Sequence, residues 1–324
     1  MGRRLPGKAI PARPARILVV KLVGFGSILL AGPLVAAARA ACPDAQLELL
    51  TRPAHATLFE ASFDRVFSLD SRVCAALWRD PPDLVLDLEA GSRLTGSLGR
   101  AIGAPTAGFS LPGWCPPHEV SVRFRESVHA STNYLRLADA LGWPDGPLAP
   151  LPLGISAGQK DAFAVLNPNA SELAPERRWP HFAVLGRRFL AEGIPVVVIG
   201  GPEDVGRVTA LVAALGGGAR SALGLDLRGC AELLARARVV VSNDSGPAHL
   251  AAAVGAPTVV LFGPETPATH RPLGPRVTVL HRPLPCSPCL STWDGKVAAC
   301  RRKVACLADL HPNQVWEAAA ECLG

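Results

Sequence analysis

No apolar stretch of this sequence is long enough to span a bilayer. One candidate, ILLAGPLVAAA from Ile28, is cut by Arg39 well short of the roughly 20 residues required. The start does not have the form of a secretory signal either, because the apolar ILVV after the basic beginning is short and Lys21 interrupts it. Charged residues are few, 19% against 49% apolar, which excludes a disordered chain and points to well-filled cores. A basic stripe is missing as well. The net charge is +6, but Arg3, Arg4, Lys8, Arg13 and Arg16 supply five of those charges before any acid occurs, so the body is nearly balanced. A surface built to wrap nucleic acid is therefore not expected. No internal repeat or low-complexity block stands out. These absences place the chain in the cytoplasm, where the basic start either stays solvated or touches anionic lipid at the inner face of the membrane. Nine cysteines, an odd number, then read as mostly reduced thiols.

What is present is alternation. The chain has 324 residues, too many for one ordinary core and suited to two domains. Short β-branched runs alternate with Ala/Leu-rich helical stretches, the pattern of parallel sheets covered by helices on both faces. RILVVKL, QLELL, RVFSL, DLVLDLE and a short run from Ala107 to Phe109 read as strands of a first half. Helices are expected in ILLAGPLVAAARAA, kinked at Pro33, in SRLTGSLGRAIG and in ASTNYLRLADALG. WPDGPLAPLPLGISAGQKD breaks all periodicity and reads as a linker. The second half restarts with FAVLNPNA and continues through strands PVVVIGG, RVVVS and PTVVLFG, with helices between them. The expected organisation is a basic tail over 1–16, a first Rossmann-like domain over 17–150 and a second over 160–310. A closing helix over 311–324 is expected to pack back across the first domain. Two doubly wound α/β halves imply a cleft, with ligands beyond the carboxyl ends of the strands.

One strand end stands out. NDSGPAHLAAA, from Asn243, crowds an acid, a hydroxyl, a glycine, a proline and a histidine between two apolar runs. A helix starting there offers unpaired N–H groups and a positive dipole end to a phosphate. Gly246 lets an anion approach the backbone, and Pro247 suits a first helical turn. Asp244 and Ser245 order the turn, and His249 faces the same ligand one turn on. A helix cap beside a satisfied histidine is the plainer reading. The GFG turn after the first strand does not make a dinucleotide fingerprint. Leu29 stands where the third glycine is needed, and the next strand ends in LLTR without a ribose-binding acid.

SNDSGPAHLAAAVGAPTVVLFGP resembles the signature of glycosyltransferase family 9, the heptosyltransferase-like enzymes. RILVVKLVGFGSILLAGPLVAAARAACPDAQLELL, LVLDLEAGSRLTG, NPNA…RRWP, VVVIGGPED and CSPC resemble other blocks of that family in the same order. The resemblance implies a GT-B fold, two Rossmann-like domains facing a central cleft. It also implies inverting, metal-independent transfer of a sugar, typically heptose from ADP-heptose, to a lipopolysaccharide-core acceptor. Carried over by position, Asp244, Ser245, Gly246 and His249 would line the donor site, with Arg177, or its neighbour Arg178, on the diphosphate. Asn167, Asn169 and Ser171 would add contacts, and Glu203 would meet the ribose or base. Lys21, Arg93, Arg123 and His129 are the acceptor-side candidates for carboxylate or phosphate groups.

The sequence departs from the family pattern at one position. Many members carry an aspartate after the first turn, regarded as the catalytic base, and here that residue is Ser27. A serine hydroxyl is a poor proton acceptor near neutral pH. Glu89, after the strand LVLDL, is the expected replacement, with Asp87 deeper on the same face. A nucleotide-sugar-binding protein without transfer activity, and a transferase or epimerase using another sugar nucleotide, are the alternatives. Finally, Cys286, Cys289, Cys300 and Cys306 fall in one short segment. C-x-x-C followed by two more thiols suits a structural zinc, while the five-residue spacing of the later pair leaves free thiols or a disulfide open.

Overall fold

The structure, a computed structural model, describes residues 9–155, 161–290 and 300–323. The chain divides into two compact units, Met1–Leu153 and Gly154–Gly324. The first holds strands β1 (Arg16–Val20), β2 (Gln46–Thr51), β3 (Arg65–Ser68), β4 (Leu84–Asp87), β5 (Thr106–Ser110) and β6 (Val120–Arg123). They form one parallel sheet in the order β3-β2-β1-β4-β5-β6. The second holds β7 (Ala164–Asn167), β8 (Val196–Gly200), β9 (Ala219–Leu223), β10 (Val239–Asn243), β11 (Thr258–Phe262) and β12 (Val277–His281). Its parallel order is β12-β11-β10-β7-β8-β9, the same path traced a second time.

Burial explains the composition of the central strands. Ile17 to Val20, Val239 to Val241 and Val259 to Phe262 are at most 1% exposed, because helices cover both faces. Strands buried on both sides have no need of alternation, and each large apolar side chain hidden there stabilises the fold by about 1.5–3 kcal/mol. In both sheets the chain begins at the centre, runs to one edge and returns to build the other side. The direction therefore switches between β1 and β4, and again between β7 and β10. Loops leaving those four strands diverge and leave a crevice at the carboxyl edge.

Several local expectations are corrected. β6, β9 and β12 had no counterpart in the sequence reading. All three are edge strands, and β9 and β12 carry no fully buried residue, so their sequences lack a continuous apolar run. The helix Ser71–Arg79 was also missed. Asp70 caps it through Val73 N at 2.7 Å, yet it buries only Leu77. The expected kinked helix at Pro33 is two helices, Phe25–Leu29 and Gly32–Ala41, with Pro33 in the first turn of the second. The basic tail ends earlier than residue 16. Ala15 N and Arg16 N both donate to Asp83, and Arg16 reaches the fully buried Glu48 at 3.1 Å.

The first part of the expected linker belongs to the first unit. A Cβ on Gly32 would lie 2.2 Å from Ala149 O, and one on Gly146 would lie 2.0 Å from Pro33 O, so bare glycines let these backbones touch. The terminal helix Pro312–Leu323 packs into the core of the second unit. Val315, Ala318 and Ala319 enter the core with Phe189, Val239 and Leu261, and Trp316 meets Phe189 edge-on at 5.2 Å.

Candidate functional site

At the switch point of the second sheet, β10 delivers Asn243 and the chain turns into the helix Gly246–Ala253. Ser245 stands at its N-cap in extended conformation, and Pro247 lies in the first turn. The Ser245 hydroxyl does not cap that helix. It accepts from Asn167 Nδ2 at 2.9 Å and donates to Asn243 O at 3.2 Å. Asn167, at the end of β7, also donates to Ser242 Oγ at 2.9 Å. Asn243 completes the brace, accepting from Trp179 N at 3.0 Å and donating to Asn169 O at 3.3 Å. The ends of β7 and β10 are thus tied together while the N-cap residue Ser245 gives the helix no side-chain cap. A helix start of this kind attracts an anion, worth about 0.3–2 kcal/mol from the dipole alone.

Arg177 is 8% exposed and reaches Asp244 Oδ2 at 3.5 Å. Its other nitrogen pairs with Glu265, which follows β11 and also meets His270 Nδ1 at 3.1 Å. Arg177 therefore sits between two carboxylates, and a diphosphate would have to share it with them. Asp244 and His249 are both buried beside the helix start.

The remaining donor-side candidates are used differently. Asn169 is buried and spans two loops, donating to Ile199 O at 2.8 Å and accepting from Arg207 at 3.2 Å. Arg178 binds Ala170 O at 3.1 Å and pairs with Glu172, which also holds Arg207 at 3.2 Å. Ser171 is exposed and accepts from Leu173 N at 3.3 Å. Glu203 is exposed after β8, and the buried acid that orders its turn is Asp204, through Gly201 N at 3.0 Å. Sequence reasoning missed Glu265, Asn243 and Arg207. The strand-end rule that selected Asp244 would have selected Glu265 as well.

At the switch point of the first sheet, Lys21 after β1 and Glu89 after β4 come together. Lys21 Nζ lies 3.0 Å from Glu89 Oε2 and donates to Val23 O at 2.8 Å. Glu89 Oε1 accepts from the amides of Leu22 and Val23, each at 2.6 Å. The carboxylate is 12% exposed, so it holds the first turn in shape while keeping an open edge. Beneath it Asp87, 2% exposed, accepts from Glu89 N at 3.0 Å. Burial pushes the Asp87 carboxyl up to about 7, against the lowering effect of that amide. Ser27 is half-buried in the helix Phe25–Leu29, whose start is Gly24 with φ 75°. Arg93 is exposed at the head of the helix after β4, and Arg123 is exposed at the end of β6. His129 caps the helix Ala130–Ala140, its Nδ1 accepting from Ser131 N at 3.3 Å.

Cys286, Cys289, Cys300 and Cys306 line one small cavity of about 20 Å³ with Glu176, Pro264 and Arg302. Burial and the neighbouring thiols push Cys289 up, and Cys306 up to about 11. Glu176 Oε2 is buried there without a hydrogen bond. Among the described residues no three His, Cys, Asp or Glu side chains form a ready metal cage. The four thiols share a space but are not closed around a point.

The chain resembles known proteins in sequence and in fold. The sequence profile of glycosyltransferase family 9 (heptosyltransferase) matches residues 122–296. Lipopolysaccharide heptosyltransferase 2 of Salmonella typhimurium is 34% identical over 117 residues, a stretch covering 34% of this chain and 34% of that protein. The chain thus aligns with about a third of the length of that relative. The structure of a family 9 glycosyl transferase from Veillonella parvula superposes with a TM-score of 0.80 at 23% identity, covering 96% of this chain and 98% of the other. ADP-heptose lps heptosyltransferase II of E. coli gives 0.77 at 21% identity, covering 95% and 98%. These likenesses are of fold: two doubly wound α/β units, the GT-B architecture.

Proposed function

The chain belongs to glycosyltransferase family 9, and from that premise we propose that it is an inverting glycosyltransferase. It moves a sugar, heptose from ADP-heptose, to a lipopolysaccharide-core or similar glycan acceptor. The observation that carries this reading is the helix mouth at Gly246, braced by Asn167 and Ser245 beside the Asp244–Arg177 pair. The donor diphosphate seats against that mouth, and Asp244, Ser245, Gly246 and His249 line it. Asn169 and Ser171 shape the neighbouring loop, and Glu203 lies toward the nucleoside end.

The chemistry follows from where charge moves. As the acceptor hydroxyl attacks the anomeric carbon from the face opposite ADP, its proton passes to Glu89 and negative charge grows on the leaving diphosphate. The Gly246 amide meets that charge from a fixed position, and Arg177 turns toward it from its place between Asp244 and Glu265. Lys21 keeps the Glu89 carboxylate in place. Ser27 contributes a hydrogen bond, not a proton acceptor. Arg93, Arg123 and His129 bear on the acceptor's acidic groups.

Among the described residues no helix is long and apolar enough to cross a membrane. In this reading the enzyme works at the cytoplasmic face, where Arg3, Arg4 and Lys8 supply a peripheral contact with anionic lipid. The four cysteines would have to draw together to hold a structural zinc, which would tie the segment after β12 to Pro264, whose carbonyl already accepts from Cys289 N at 2.8 Å. Elemental analysis should find one zinc per chain and none after Cys289→Ser with Cys306→Ser.

The test of the function is release of ADP from ADP-heptose, expected only when a lipopolysaccharide-core acceptor is supplied. Glu89→Gln should abolish that release while ADP-heptose still raises the melting temperature. Release that ignores the acceptor, or turnover that survives Glu89→Gln, would overturn the transfer mechanism.

A further inference from the structure

Behind Glu89 lies a buried pair that the mechanism so far leaves unused. Asp87 and His118 are 2% and 1% exposed at their side chains, and Asp87 Oδ2 lies 3.9 Å from His118 Nε2. The ring fits there because β5 carries Gly108 opposite Asp87. A Cβ at Gly108 would lie 2.4 Å from His118 Nε2.

Hydrogen-bond polarity fixes where the protons sit. The Thr106 hydroxyl donates its single proton to Glu119 Oε2 at 3.0 Å. Its oxygen can then only accept from His118 Nδ1, 3.1 Å away. A neutral His118 therefore carries hydrogen on Nδ1 and turns a bare Nε2 toward Asp87. Asp87 Oδ1 is taken by the amide of Glu89, the Thr95 hydroxyl also bears on the carboxyl, and Oδ2 is the oxygen that lies toward the imidazole. Any proton on Asp87 thus belongs on Oδ2, facing the imidazole.

We propose that Asp87, backed by His118, is a positioning residue that holds one proton behind Glu89 and sets its strength as a base. The inference rests on the reading of Glu89 as the proton acceptor. With the proton present Asp87 is neutral. Once it is lost, a second negative charge stands behind Glu89, and like charge raises a carboxylate's affinity for a proton. The groups facing Asp87 are Lys21 from the loop after β1, Glu89 from the loop after β4, and His118 with Glu119 from the segment entering β6. Burial raises Asp87 to about 7 and lowers His118 to about 4, so below about pH 7 the proton resides on the acid and not on the imidazole. Turnover should rise with pH as Asp87 ionises.

The test combines carboxyl and imidazole NMR on the full chain with pH–rate profiles. Asp87 is expected to titrate near pH 7, with His118 neutral and Nδ1-protonated well below pH 6. Asp87→Asn should lose the inflection near pH 7 in kcat/KM with the donor KM unchanged. Gly108→Ala, which displaces the ring, should move the Asp87 midpoint. Titration of Asp87 in the ordinary carboxylate range, an Nε2-protonated His118, or an inflection that persists in Asp87→Asn would overturn the proposal. Failure of the base reading is separable, because turnover that survives Glu89→Gln removes the base, while Asp87 still titrates above the ordinary carboxylate range through its burial, with its midpoint lowered by loss of the neighbouring charge.

Discussion

Replacing Asp87 and His118 one at a time should reveal two opposed pH dependences of stability that cancel in the parent chain. Asp87 has a folded midpoint of about 7 against an ordinary 3.8, so the folded chain binds that proton more tightly. By itself this makes stability rise as pH falls from about 7 to 3.8, by about 4 kcal/mol in all. His118 has a folded midpoint of about 4 against 6.5, so the unfolded chain takes that proton first. By itself this makes stability fall as pH drops from 6.5 to about 4, by about 3 kcal/mol. Both side chains are almost fully buried, so solvent screening removes little of either effect. Between pH 4 and 6.5 the pair holds one proton in either state, on Asp87 when folded and on His118 when unfolded. The assay is urea unfolding at several pH values, read by hydrogen exchange of β4 and β5 amides so that the first unit is followed alone. His118→Gln should gain stability on acidification, and Asp87→Asn should lose it. Parallel curves for the two variants would refute the reasoning.

Three further outcomes are expected. Glu265→Gln removes one of the two carboxylates on the buried Arg177 and should destabilise the second unit by about 3 kcal/mol in chemical denaturation, whereas Glu172→Gln, on an exposed carboxylate, should change nothing measurable. Gly32→Ala drives a Cβ into the backbone at Ala149 and should cost the first unit about 1–3 kcal/mol or more, read as a lower melting temperature, with the second unit unchanged. Ser245→Ala takes away the hydroxyl that joins Asn167 to Asn243. It should weaken ADP binding by calorimetry about tenfold, since one lost hydrogen bond of about 1.4 kcal/mol corresponds to that factor.

The central strands were legible because burial on both faces leaves an uninterrupted apolar run, as in Ile17–Val20 and Val259–Phe262. The edge strands β6, β9 and β12 were not, because β9 and β12 stay half-covered and their residues mix, although the edge strand β3 was read as RVFSL. At the candidate sites, Gly246 and Pro247 announced a helix start, and the position of Glu89 after β4 announced a strand-end acid. What the sequence could not announce was partnership. That Arg177 lies between Asp244 and Glu265, 88 positions away, follows from the order of β7, β10 and β11. The Asp87–His118 pair was hidden for the same reason, since β4 and the segment entering β6 meet only through β5.

The central claim is that the mouth of the helix Gly246–Ala253 receives the donor's diphosphate. The most direct measurement is a crystal structure of the full chain with ADP. The account predicts phosphate oxygens within hydrogen-bond distance of the Gly246 amide, with Arg177 turned toward them. A diphosphate bound elsewhere, with that helix mouth unchanged, would contradict it.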